Sequence, residues 1–136
     1  NIMLKKYSSS YIKEILETVK TIAIVGVSSK PERDSYKVMK FLMENNYKVF
    51  PVNPNEKIIL GQKCYSTLEE IKEKVDMVDI FRAEAFILDL AKVAVEINAD
   101  IFWTQEGIIN KDAESLAKRN GLKVIMDECP KKILLS

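Results

Sequence analysis

Histidine is absent from this chain, and with it go the Ser-His and Cys-His couples, His-ligated zinc, a phosphohistidine and an imidazole general base. Cysteine is scarce. Cys64 and Cys129 stand far apart and outside any metal-ligand spacing, as in a protein kept reduced in the cytoplasm. With only four glycines, the chain has no G-x-G-x-x-G dinucleotide fingerprint, although Gly26 stands where its first glycine would be. No apolar run reaches the length of a membrane span, and Lys5-Lys6 is followed by Ser8-Ser9-Ser10 in place of a signal-peptide core. An excess of either charge is lacking too. Lys and Arg number 21 against 20 Asp and Glu, interspersed, so no basic face is available to neutralise a nucleic-acid backbone.

What is present is enough apolar sequence, 47% of 136 residues, for one substantial core. Residues 1–136 read as a single domain, with 1–20 as a helical extension packed on it. Ile12, Ile15, Leu16 and Val19 follow helical spacing and predict a helix from Ser10 to Lys20, capped by a serine of the Ser8 to Ser10 run. From there, apolar runs at Ile22 to Val27, Tyr47 to Val52, Met77 to Phe81, Ile101 to Thr104 and Leu122 to Met126 alternate with helical stretches. Those stretches are Ser35 to Asn46, Thr67 to Glu73, Glu84 to Asn98 and Lys111 to Asn120, the last with Asn110 as N-cap and Gly121 as its left-handed stop. The alternation predicts right-handed βαβ units in a Rossmann-like, doubly wound α/β fold: five parallel strands in the order 3-2-1-4-5, with helices on both faces. Ligands of such sheets sit over the carboxyl ends of the strands.

Four segments reach that edge. In the first, Gly26 to Ser35, a strand hands over to a helix N-terminus, where unpaired N–H groups and the positive end of the helix dipole suit a phosphate. Lys30 and Arg33 supply cations, or else form a solvated loop paired internally with Glu32 or Asp34. Ser28 and Ser35 supply hydroxyls, and Ser35 reads equally as the helix N-cap. In the second, Asn53-Pro54 ends a strand where an NAD-binding sheet would carry an acid for the ribose hydroxyls. An amide there tolerates a phosphorylated ribose, and the bland alternative is a plain turn. In the third, Phe81-Arg82 offers stacking to an adenine or a pantetheine arm, or else finishes the core with Arg82 pairing Asp79 or Glu84. In the fourth, Gln105 and Gly107 present a side-chain amide and open backbone, while Trp103 reads as core. Cys129 follows two acids, Asp127 and Glu128, that oppose a thiolate, and it reads as structural.

Taken together, Gly26-x-Ser28-x-x-Pro31-x-Arg33-x-Ser35-x-x-Val38, Tyr47-x-Val49-x-Pro51-Val52-Asn53-Pro54, Val78-Asp79-Ile80-Phe81-Arg82, Trp103-x-Gln105-x-Gly107 and Met126-Asp127-x-Cys129-Pro130 resemble the small single-domain bacterial CoA-binding proteins. These are similar to the CoA-binding domain of the succinyl-CoA synthetase alpha subunit. The resemblance covers about Thr21 to Pro130 and implies coenzyme A or an acyl-CoA as ligand. The Gly26 to Ser35 loop, with Val27 and Tyr36 in the same set, would meet phosphate. Asn53 and Pro54 would border ribose and adenine, Phe81-Arg82 would run along the cofactor, and Gln105 and Gly107 would face the pantetheine. Binding without catalysis is the expectation, since the synthetase reaction needs a phosphorylated histidine on a second domain. A nucleotide-dependent (NAD(P)) oxidoreductase or transferase, and an acyl-CoA-sensing interaction module, are the alternatives. A homodimer or an unidentified protein partner is left open; nucleic acid, membrane and metal are not expected.

Overall fold

The computed structural model describes residues 7–136, so the first six residues of the expected N-terminal extension, Lys5-Lys6 among them, lie outside the described residues. Five strands, β1 (Thr21–Val25), β2 (Lys48–Val52), β5 (Met77–Ile80), β6 (Ile101–Thr104) and β7 (Lys123–Ile125), pair in parallel in the order β2-β1-β5-β6-β7. Their interiors are apolar on both faces because both faces are covered. Ala23, Val25, Val78, Ile80, Phe102 and Val124 pack on one side with Ile87, Ala91 and Ala94 of α3 (Ile87–Glu96) and Ala113 and Ala117 of α4 (Lys111–Arg119). Ile22, Ile24, Met77, Trp103 and Ile125 pack on the other side with α1 (Ser9–Thr18) and α2 (Asp34–Glu44).

The caps follow the expected chemistry. Ser8 accepts from Tyr11 N at the start of α1 (3.2 Å), Asn110 accepts from Ala113 N at the start of α4 (2.9 Å), and Gly121 ends α4 with φ +85°. The Tyr47 hydroxyl donates to the Leu16 carbonyl and ties α1 to the sheet.

The doubly wound order holds in style, with the two halves of the sheet diverging around β1, but the Met77 strand takes a different place. It lies directly beside β1, so the five full strands alone read 2-1-3-4-5. The position beyond β2, which is the third in a 3-2-1-4-5 order, shrinks to one parallel bridge between Val52 and Tyr65. Tyr65 N donates to Pro51 O and Asn53 N donates to Tyr65 O, both at 2.9 Å. Residues 51 and 53 therefore face this outer edge, and Pro51 has no N–H with which to continue the ladder.

Other elements differ in extent. The helix expected over Thr67 to Glu73 is a single 3-10 turn, Leu68–Glu70, closed by a Thr67–Glu70 capping box; the chain leaves helical geometry at β-branched Ile71. Glu84 to Asn98 divides into a 3-10 turn, Glu84–Phe86, and α3. A small hairpin, β3 (Ile58–Ile59) with β4 (Gln62–Lys63), turns through Leu60 and Gly61 at φ +50° and +76°. A final helix, α5 (Pro130–Leu135), begins on proline.

Candidate ligand-binding site at the carboxyl ends of the strands

Gly26 leaves β1 at φ +88° with its N–H on Val52 O (2.9 Å), and an added Cβ would stand 2.3 Å from Phe81 O and 2.9 Å from the Arg82 side chain. Only glycine lets the loop turn this close over the chain that leaves β5. The loop is then held by two hydroxyls. Ser35 Oγ accepts from Ser28 N (2.9 Å), and Ser28 Oγ accepts from Lys30 N (3.0 Å). Ser35 is 7% exposed and already inside α2; the N-cap is Arg33, without a side-chain cap bond, so the first N–H groups of α2 stay open at the loop. Among the described residues, Lys30 and Arg33 are exposed and form no ion pair. Open N–H groups, hydroxyls and two cations around one cleft of about 540 Å³ make an arrangement suited to an anion.

A second cleft of about 550 Å³ adjoins the first and shares Asp34 and Phe81 with it. It runs past Arg82, which stacks on Phe86 with Cζ 3.9 Å from the ring centroid, to Gln105 and Cys129. Val38, Ile108 and Leu135 give it apolar walls, and Lys37, Lys131 and Lys132 stand along its rim. Lys132 holds Glu106 at 2.8 Å. Trp103 is buried, and its Nε1 donates to Glu128 O (2.8 Å), which fixes the chain entering α5.

Beneath this cleft lies a buried acid. Asp79 has no solvent exposure, and its Oδ1 accepts from Gln105 Nε2 at 2.6 Å. Burial pushes its carboxyl up from 3.8 to about 7, against the opposing pull of the Gln105 bond. Cys129 is also raised by burial, with the backbone N–H groups of Lys132 and Lys131 pulling the other way, so the thiol form is favoured.

The clefts thus bring together Gly26, Ser28, Lys30, Arg33, Ser35, Phe81, Arg82 and Gln105. The other expected residues sit differently. Val27 buries its side chain in the core, leaving only its backbone to the loop, and half-buried Tyr36 packs on the same cluster. Asn53 is a brace: Nδ2 donates to Val27 O and Oδ1 accepts from Asn55 N, both at 2.8 Å. Pro54 is exposed beside it. Gly107 N donates to Asp127 Oδ1 (2.6 Å), away from the cleft lining. Asn53→Ala should therefore cost about 1–2 kcal/mol in chemical denaturation, because it strips the hydrogen bond between two strand ends. Lys37, Lys131, Lys132 and Leu135 line the second cleft without having been expected there. Pro130 at a helix N1 position is the signal that would have found α5. Among the described residues no His, Cys, Asp and Glu group is placed to hold a metal, and no helix is long and apolar enough to cross a membrane.

An open parallel sheet whose first glycine turn, helix N-terminus and flanking clefts meet at its switch point defines a Rossmann-like α/β domain. The chain belongs to the CoA-binding domain family, whose model it matches over residues 20–134. It is 40% identical over 124 residues to the uncharacterized protein YneT of Bacillus subtilis, covering 91% of this chain and 92% of that one. Among solved structures, Prb, the PH1109 protein redesigned for binding, superposes with a TM-score of 0.92 at 37% identity, covering 96% of this chain and 92% of that chain. The ADP-forming acetate–CoA ligase of Methanocaldococcus jannaschii is 24% identical over 131 residues. That match covers 90% of this chain but 19% of the ligase, so the chain corresponds to about a fifth of that enzyme.

Proposed function

We propose that this protein binds coenzyme A or an acyl-CoA over the carboxyl ends of its strands, in the cytoplasm, without catalysis of its own. The observation that carries this reading is the continuity of an anion-suited loop with an amphipathic cleft across Phe81. The first suits the phosphates of a nucleotide and the second suits a flexible arm of amides ending in sulfur. Membership of the CoA-binding domain family supports the ligand, and the likeness to acetate–CoA ligases supports an acyl thioester as the form carried. The groups at the site support binding without catalysis. No imidazole exists in the chain, and the Cys129 thiol is raised away from the thiolate.

Gly26, Val27 and Ser28 would meet phosphate through backbone and hydroxyl, Lys30 and Arg33 through charge, and Ser35 by holding the loop with Tyr36 behind it. Asn53 and Pro54 would border the ribose from the neighbouring strand end. Phe81 and Arg82 would flank the arm, and Gln105, with Gly107 beyond it, would lie at its far end. Mass spectrometry of protein purified under native conditions should find CoA or an acyl-CoA retained; a retained nicotinamide nucleotide would overturn the reading. Arg33→Ala should weaken CoA roughly tenfold, and 3′-dephospho-CoA by less, in calorimetric titration, as loss of a charge-assisted bond to the 3′-phosphate requires. Equal losses would move Arg33 to the diphosphate.

A further inference from the structure

Asp79 is an expensive residue to place where it lies. In β5 its neighbours across the sheet are Ile24 of β1 and Trp103 of β6, both fully buried and apolar. A carboxyl there is costly to bury, and only half of its acceptor capacity is met. Oδ1 takes the Gln105 Nε2 hydrogen, whereas Oδ2 is the one buried side-chain oxygen or nitrogen among the described residues with no partner. A purely structural role at this position would be met better by an apolar side chain.

The pairing does have a consequence for the cleft above. Gln105 is 7% exposed and lines that cleft. With Nε2 committed to Asp79, the open side of the amide is Oε1, which makes no hydrogen bond among the described residues. We infer that Asp79 is a positioning residue for the ligand. It holds Gln105 with Oε1 turned to the cleft, so that the floor accepts a hydrogen bond from an N–H or S–H donor on the ligand's arm. This rests on the CoA reading, in which phosphates at the Gly26 loop send the arm past Phe81 into the second cleft.

The protonation state of Asp79 then matters. Ionised, it can only accept, and Gln105 Nε2 is the donor that Oδ1 holds. Protonated, its hydroxyl can donate to Oε1, turn the amide over and present N–H groups to the cleft. The charged and titratable groups that line the cleft above this pair are Asp34 and Lys37 from α2, Arg82 after β5 and Glu106 after β6. Cys129, Lys131 and Lys132 line it from the entry to α5. From β1 and β6 the neighbours are the uncharged Ile24 and Trp103.

The test titrates CoA and adenosine 3′,5′-bisphosphate, which shares adenine, ribose and the 3′-phosphate but lacks the arm, at about pH 6 and about pH 8, on either side of the carboxyl's range. In the wild type, CoA should gain on the bisphosphate severalfold at the higher pH, and Asp79→Asn should remove that gain. Asp79→Leu should weaken CoA about tenfold while leaving the bisphosphate unchanged, the loss of one well-placed hydrogen bond. Equal weakening of both ligands by Asp79→Leu, or a CoA-to-bisphosphate ratio in the wild type that ignores pH, would overturn the inference. If Asp79→Leu fails to fold, the wild-type pH step and its loss in Asp79→Asn decide. Wild-type protein that binds the bisphosphate and CoA equally would overturn the positioning role alone, whereas binding of neither would overturn the CoA reading beneath it.

Discussion

Gly26→Ala should cost more than about 3 kcal/mol of folding stability and abolish CoA binding, as strain at a φ-positive site adds to a backbone clash. The methyl would meet Phe81 O at 2.3 Å, and that oxygen belongs to backbone already fixed by the Phe81 N–H on Val25 O (2.8 Å). The Arg82 side chain can swing aside, but the Phe81 carbonyl is backbone, so relief requires the ends of β1 and β5 to separate. Gly61→Ala is the matched control. Its φ is +76°, but nothing lies within 4 Å of the added methyl, so it should cost only about 1 kcal/mol, the left-handed backbone penalty by itself. Urea denaturation of the two variants separates strain from collision; equal losses would contradict the close approach.

Asp79→Asn should stabilise the protein, and the gain should depend on pH. The folded carboxyl is raised to about 7 from 3.8, so between those values the folded state holds a proton that the unfolded chain has released. Stability from this group is fully present below the unfolded value and is lost as pH rises through the folded one. Asparagine keeps an acceptor for Gln105 and never ionises. Its advantage should therefore be absent near pH 3.8, grow across the interval and level off above about 7, reaching on the order of 4 kcal/mol by the conversion of about 1.4 kcal/mol for each pH unit. Thermal unfolding of both proteins across that range measures it. A difference in melting temperature that does not change with pH would show that Asp79 is not buried as a neutral acid.

Much of the molecule is legible in its residues, and the exceptions have physical causes. Continuous apolar strands, the caps at Ser8 and Asn110 and the stop at Gly121 are local signals, and the structure forms them where the sequence puts them. The phosphate-suited loop is legible for the same reason, because Gly26 and the start of α2 are adjacent in sequence. The place of the Met77 strand is not local. It follows from Pro51 silencing the outer edge of β2, which confines the third position to Tyr65. Asp79 reads along the chain as a polar residue open to Arg82, yet Trp103 and the β1 neighbour Ile24 enclose it. The lysines of α5 reach the cleft because the chain end folds back against α1 and α2, with Trp103 holding Glu128 at its entry. Asn53 looks on sequence like a group facing ligand, and what the sequence does not show is that its amide also joins two strand ends.

The family, the open helix N-terminus and the cleft beyond Phe81 are the grounds for the proposed ligand, with a phosphorylated ADP end and a thiol-bearing arm. Calorimetric titration of the purified protein with CoA, 3′-dephospho-CoA and NAD tests that proposal most directly. CoA should bind in a one-to-one complex, 3′-dephospho-CoA more weakly for want of the phosphate proposed to meet Arg33, and NAD weakest of all. Comparable affinity for all three, or binding of NAD alone, would contradict it.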